Sequence, residues 1–195
     1  SLRFQLKTFL VAISALFAVS ALANVKADVS KPLKTVVNSI RYGKDLAALK
    51  LFAAEEQGRQ LVGEYWSKGT DAQRKEFQEL FPLLFGKIAF PKIRKNFENL
   101  DTVLYDEPTV TSDRSEIAST ILINHPLKKQ ELKVKYQLLK HAGAWRIVDV
   151  SVLGDSMLVG IRDDQIQPLL KEGGWDALLK AMRDKAGELK DVVLK

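Results

Sequence analysis

The chain of 195 residues contains no cysteine. That absence removes disulfide scaffolds, thiolate zinc sites, iron–sulfur clusters, cysteine nucleophiles and cysteine-linked lipid anchors together. Histidine occurs twice, at His125 before a proline and at His141 in a turn, which leaves little material for a histidine metal site or base. No GxGxxG, P-loop or HExxH pattern occurs. Gly154-Asp155-Ser156-Met157-Leu158 begins like a nucleophile elbow but lacks the closing glycine and has no histidine paired with it. Acidic residues are in modest deficit, 24 against 30 basic, for a formal net charge of +6. The densest basic pairs, Arg94-Lys95 and Lys128-Lys129, have acids within a few residues and no interleaved aromatics. They read as a solvated face, and no nucleic-acid partner is expected.

What is present is a globular composition, 46% hydrophobic and 28% charged, too apolar for a disordered chain. Arg3 and Lys7 precede a 15-residue apolar run, Phe9 to Ala23, ending in Ala21-Leu22-Ala23. A short basic segment, an apolar stretch and an A-x-A site form the pattern of a secretory signal peptide. Cleavage is expected before Asn24, with Val25-Lys26-Ala27 as a second site. A helix of that length spans about 22 Å, short of a ~30 Å hydrocarbon core, so the run reads as a leader rather than an anchor. The expected division is residues 1–23 as signal peptide and 24–195 as one exported domain, with 28 basic and 24 acidic residues. An exported chain without cysteine fits a bacterial periplasm, where a domain of this size does not need disulfides.

Past the leader the pattern runs helices, strands, helices. Lys31-Pro32 marks a helix start, followed by Leu33, Val36, Val37 and Ile40, and Leu46, Leu49, Phe52 and Ala53 continue the spacing to about Glu56. Leu61, Val62, Tyr65 and Trp66 form another face. Thr70-Asp71-Ala72-Gln73 is a capping box, and the helix behind it is expected to kink at Pro82 and to end or break at Pro91. The period then becomes two: Phe97 to Tyr105, Ile117 to Ile123, Leu132 to Leu138 and Trp145 to Leu153 read as strands, with a hairpin turn at His141-Ala142-Gly143-Ala144. Helical spacing returns at Ile166, breaks at Gly173-Gly174 and resumes with Trp175, Leu178, Leu179 and Met182; residues 186–195 read as a fraying tail. The fold class is α+β, with helices packed on one face of a four-stranded antiparallel meander.

Two features bear on function. Asp149 sits in the middle of a β-rich run and needs a partner if buried; Arg162 or the Ser156 hydroxyl is placed to supply one. It reads as a structural anchor, with a general base in a cone-shaped pocket as the alternative. The second feature is an apolar surplus. Phe77, Phe81, Leu84, Phe85 and Ile88 face a sheet that carries Ile121, Ile123, Tyr136, Leu138, Val148, Val150 and Val152. Periodicity does not separate a filled core from a lined cavity.

Three stretches in this order resemble the MlaC family of periplasmic phospholipid-binding, or toluene-tolerance, proteins. Leu61-Val62-Gly63-Glu64-Tyr65-Trp66 with Thr70-Asp71-Ala72-Gln73-Arg74-Lys75-Glu76-Phe77 and Phe81-Pro82-Leu83-Leu84 is similar to the family's helix, cap and F-x-x-L-L run. Trp145 to Val150 resembles its W-x-V-x-D-V strand. Gly154, Ser156 and Arg162, then the segment Gly174 to Arg183, are similar to its closing motifs. The chain departs from the pattern at Leu153 and at Gly160-Ile161. The resemblance implies a highly curved sheet under the helical layer, with acyl chains held in an apolar cavity between them. It implies a monomeric, non-enzymatic carrier without a cofactor, shuttling phospholipid between an outer-membrane lipoprotein complex and an inner-membrane ABC transporter complex. On that reading the lipid-binding residues are Phe77, Phe81, Leu84, Phe85, Ile88, Ile121, Ile123, Tyr136, Leu138, Val148, Val150 and Val152. Asp149, Ser156 and Arg162 support the corner from sheet to helix. The alternatives are another apolar lipid such as a hopanoid, or a small enzyme with Asp149 as base.

Overall fold

The computed structural model describes residues 23–195; the expected leader lies outside the described residues apart from Ala23. Helix α1 covers residues 23–41. It starts well before Pro32, which is buried inside it rather than at its beginning. Val29, Leu33, Val36 and Ile40 form one stripe, of which Val29, Leu33 and Ile40 are almost fully buried. Burial of that stripe against the sheet offsets the hydrogen bond that the proline cannot donate.

The chain does not run on as helix to Glu56. It turns at Gly43, where φ is 71°, and forms the short α2 (Asp45–Leu49). It then becomes extended, so that Phe52 bridges Ile147 of the sheet. The Ala53 N–H donates to the Ile147 carbonyl at 2.8 Å, and the Ile147 N–H donates to Leu51 at 2.9 Å. Helices α3 (Ala54–Val62), α4 (Tyr65–Lys68) and α5 (Asp71–Asn96) follow. Thr70 caps α5 with the expected box: the Gln73 N–H donates to the Thr70 hydroxyl at 3.1 Å, and the Thr70 N–H donates to the Gln73 side chain at 2.9 Å. Both Pro82 and Pro91 lie within α5, and Pro91 does not end it. Phe81 and Phe90, buried beside these prolines, hold the helix to its neighbours on either side.

A 3₁₀ turn (Phe97–Asn99) leads into the sheet. Its strands are β1 (Leu100–Tyr105), β2 (Thr109–Thr111), β3 (Arg114–His125), β4 (Lys128–His141), β5 (Ala144–Val152) and β6 (Asp155–Ser156). The sheet is antiparallel, curved and open, in the order β1-β3-β4-β5-β6, with β2 also paired to β3. It has six strands, not four: β2 is short and wholly exposed and β6 has two residues, so neither carries an alternating apolar signal. The turns Ala142-Gly143 and Leu153-Gly154 place both central residues at positive φ, the hairpin geometry that matches strand twist.

The sheet carries an irregularity that decides which side chains of β5 face inward. Strand β4 pairs with β5 as Tyr136–Val150 and Gln137–Asp149, and then as Leu138–Ile147. Val148 is the extra residue of a bulge, which reverses the in–out alternation along β5 and bends the strand.

Helix α6 (Met157–Ile161), a π turn (Arg162–Ile166) and α7 (Gln167–Glu188) close the chain. The expected break at Gly173-Gly174 is present inside α7 as two residues with non-helical backbone. Trp175, Leu178, Leu179 and Met182 are buried with Trp66, Phe77 and Val148 in a helical core. The residues after α7 do not fray. Leu194 packs near Ile40, Ala48 and Phe90, the Leu46 N–H donates to the Lys195 carbonyl at 3.0 Å, and the Lys195 N–H donates to Asp45 at 3.1 Å. Asp45 is 2% exposed and is also paired with Arg94 of α5. Among the described residues no helix is long and apolar enough to cross a membrane.

Candidate functional site

Between α1, the last turns of α5 and the concave face of β3–β5 lies an apolar cavity of about 250 Å³. With its mouth, the hollow contains about 1010 Å³ of unoccupied space. Leu33, Val36, Val37 and Ile40 of α1 line one wall, and Phe85, Phe90, Ile93 and Phe97 a second. The sheet supplies the third, from Ile121 and Ile123 on β3 through Leu132, Val134 and Tyr136 on β4 to Ile147, Val150 and Val152 on β5. No lining residue is charged, and only Asn96 and Tyr136 are polar. The deep end is walled by Ile40, Phe90 and Ile147, each at most 2% exposed; Val152, 37% exposed, lies toward solvent.

Tyr136 adds little polarity. Its hydroxyl is within 2.8 Å of the Ser119 hydroxyl, and burial raises its pKa, against a smaller lowering by that hydrogen bond. Tyr105 is pushed up as well, first by burial and then by its proximity to Tyr136. Both phenols stay neutral, and the wall carries no ion at physiological pH.

The expected site residues divide into three groups. Phe85, Ile121, Ile123, Tyr136, Val150 and Val152 line this cavity. Phe81, Leu84 and Ile88 line a second apolar hollow of about 390 Å³ on the other side of α5, against α6 and α7. Phe77, Leu138 and Val148 line neither and are solid core, each at most 1% exposed. Phe77 stacks on Phe81 at 5.6 Å and meets Trp66 and Trp175 edge-on. Val148 faces the helical core because of the bulge, and Ile147 takes the inward position instead.

The cavity also uses residues absent from the sequence-based expectation, chiefly α1, Phe52, Phe90 and Ile147. The period-two signal on β4 already placed Leu132 and Val134 with Tyr136. Nothing in the sequence shows that α1, rather than α5 alone, covers the sheet.

Asp149 is 6% exposed and does not line the cavity. One carboxylate oxygen accepts from the Val150 N–H at 2.8 Å and the Leu158 N–H at 3.0 Å. The other accepts from the Ser156 hydroxyl at 2.5 Å. The Ser156 oxygen in turn accepts from the Val159 N–H at 3.1 Å and caps α6. Two residues thus tie β5, β6 and α6 into one corner. Arg162 does not join them; its Nε donates to Asp163 at 2.9 Å at the surface.

A helical layer over a bent, open antiparallel sheet, with an apolar, uncharged hollow between them, defines an α+β fold with a cavity under the sheet's concave face. The sequence profile of the MlaC protein family matches residues 24–184. The chain belongs to the MlaC family. A phospholipid-binding protein from Ralstonia solanacearum, solved in complex with a phospholipid, shares the fold: it is 18% identical, with 85% of this chain and 98% of that one covered and a TM-score of 0.67. An SEC-C motif containing protein from Rhodopseudomonas palustris is 10% identical, with 66% and 80% coverage and a TM-score of 0.41. No curated protein matches the sequence.

Proposed function

We propose that this protein is a non-enzymatic phospholipid carrier of the periplasm, which holds acyl chains in the cavity between α1, α5 and the sheet. On this reading it acts as a monomer and passes lipid between an outer-membrane lipoprotein complex and an inner-membrane ABC transporter complex. The observation that carries the reading is the cavity wall: it has no charge, its one buried hydroxyl is already paired, and every other lining residue except Asn96 is apolar. Family membership and the phospholipid bound in the protein of like fold support the same ligand class.

The energetics are coherent. Each methylene kept from water is worth about 0.8 kcal/mol, so the roughly 30 methylenes of a two-chain lipid amount to about 24 kcal/mol, comparable to what a bilayer offers them. A protein competes only by enclosing the chains almost completely, and release then needs a partner that opens the site. Asp149 is committed to three donors away from the cavity, which speaks for a structural role rather than a catalytic one.

Native mass spectrometry of protein purified without detergent, followed by lipid extraction, tests the reading. Bound mass that extracts as phospholipid is expected. A folded chain carrying no lipid, and taking up none from vesicles, refutes it.

A further inference from the structure

Strand β3 sets Ser119 opposite Val134 of β4, and Tyr136 stands two residues further along β4 on the same face. The two are diagonal neighbours across the ladder, a gap that the length of a tyrosine closes, and their hydroxyls meet at 2.8 Å. Ser119 is 1% exposed and Tyr136 8%, so bulk water does little for either. Val134 in turn pairs with Val152 of β5, the lining residue that lies toward solvent. The two hydroxyls therefore meet level with the open side of the cavity rather than with its floor.

Each hydroxyl carries one proton. Either oxygen can be the donor in the contact that joins them, but that contact uses one proton only. Among the described residues neither oxygen has a further partner, and Tyr105, which faces Ser119 from β1, forms no hydrogen bond with either. One proton of the pair is left over. Tyr136 lines the cavity and Ser119 does not. The order that strands no donor in the sheet is therefore Ser119 donating to Tyr136, with the phenol proton turned toward the hollow. The other polar lining residue, Asn96, is exposed and is served by solvent.

A lipid with ester-linked tails brings two kinds of acceptor. Its phosphate is ionised, and moving a charge against an uncharged wall is prohibitive. An ester carbonyl is neutral, stands at the head of its tail and gives up only its hydration when it accepts a hydrogen bond.

We infer that the Tyr136 hydroxyl, held by Ser119, donates to an ester carbonyl of the bound lipid and so selects ester-linked over ether-linked tails. The inference rests on the carrier reading above and adds to it one directional contact in an otherwise apolar wall.

Delipidated full chain is offered an equal mixture of dioleoyl phosphatidylethanolamine and its dialkyl ether analogue, which has the same head and tail length and no carbonyl. Native mass spectrometry resolves the two bound forms, and circular dichroism confirms that each variant is folded. Wild type is expected to prefer the ester by about tenfold. Tyr136→Phe keeps the ring and loses the donor, and should bring the ratio to within about twofold of one. Ser119→Ala keeps the phenol, and should retain a preference of about threefold or more. A wild-type ratio within about twofold of one overturns the inference, as does an ester preference that survives in folded Tyr136→Phe or is lost only in Ser119→Ala. The wild-type ratio needs no variant, so the inference is refutable even where Tyr136→Phe does not fold. A wild-type chain that takes up neither lipid sinks the carrier reading itself, which separates the two failures.

Discussion

A carboxylate placed in the uncharged cavity gives the sharpest test of how this protein holds its ligand. Val150 is half-buried, lines the cavity and pairs across the sheet with Tyr136. Val150→Asp introduces a carboxylate into a wall that otherwise contains no charged residue. In the lipid-free protein that group faces a hollow open to water through the mouth, so its pKa should stay near the ordinary value of about 4. Once an acyl chain fills the space the carboxylate is desolvated, and its pKa rises. The lipid-bound form therefore holds more protons than the free form, and affinity must fall as pH rises. From about pH 4 the loss is tenfold per pH unit until the bound-form pKa is passed, so at pH 7 it reaches up to about three powers of ten, or ~4 kcal/mol. Val150→Asn has nearly the same shape and no proton to exchange; it should lose affinity by about 1–2 kcal/mol at every pH. Lipid occupancy of both folded variants between pH 4 and 8, read by native mass spectrometry, is the assay. Wild-type occupancy of Val150→Asp at pH 7, or a loss as flat with pH as that of Val150→Asn, refutes the reasoning.

The geometry sets three further outcomes. Asp149→Ala removes an acceptor from three buried or half-buried donors at the β5–β6–α6 corner; a loss of ~3 kcal/mol is expected in urea unfolding, with lipid retained by the folded fraction. Gly58→Ala places a Cβ 2.6 Å from the Trp66 ring, which forces the helical core apart and should lower stability by about 1–3 kcal/mol in the same assay. The Arg183 guanidinium donates to both Glu76 oxygens, at 2.5 and 2.7 Å, and that hydrogen bonding holds the Glu76 carboxyl below its ordinary range. A depressed carboxyl stabilises the fold above its unfolded pKa and loses that contribution as pH falls through the folded one. The Tm difference between wild type and Arg183→Gln should be largest near neutral pH and close in acid; a difference that grows in acid contradicts the assignment.

The parts of the structure legible in the sequence are those where a local rule and burial agree. The capping box at Thr70, the turn at Ala142-Gly143, the Gly173-Gly174 interruption and the Trp175–Met182 face arise from short-range chemistry, and they stand where the spacing places them. The departures are equally physical. Pro32 and Pro91 have the local character of helix boundaries, but burial of Leu33 and Phe90 overrides the missing hydrogen bonds. Residues 186–195 carry little periodicity, yet they are held by Asp45 and by the apolar cluster around Phe90, across a separation in sequence that no local pattern reports.

From its residues alone the chain determined that it is α+β, that helices cover one face of an antiparallel sheet, that a buried Asp149 needs a partner, and that its apolar content is high. Only the tertiary structure decided which apolar side chains line a hollow and which fill a core. The stripe Phe77, Phe81, Leu84, Phe85 and Ile88 is one periodic series, yet Phe77 is solid core, Phe85 borders both hollows, and the other three face the second. A helix presents its arc to neighbours on several sides, and their placement determines where space remains. The bulge at Val148 acts in the same way, exchanging the inward residue of β5 through a shift in pairing that exists only once β4 lies beside it.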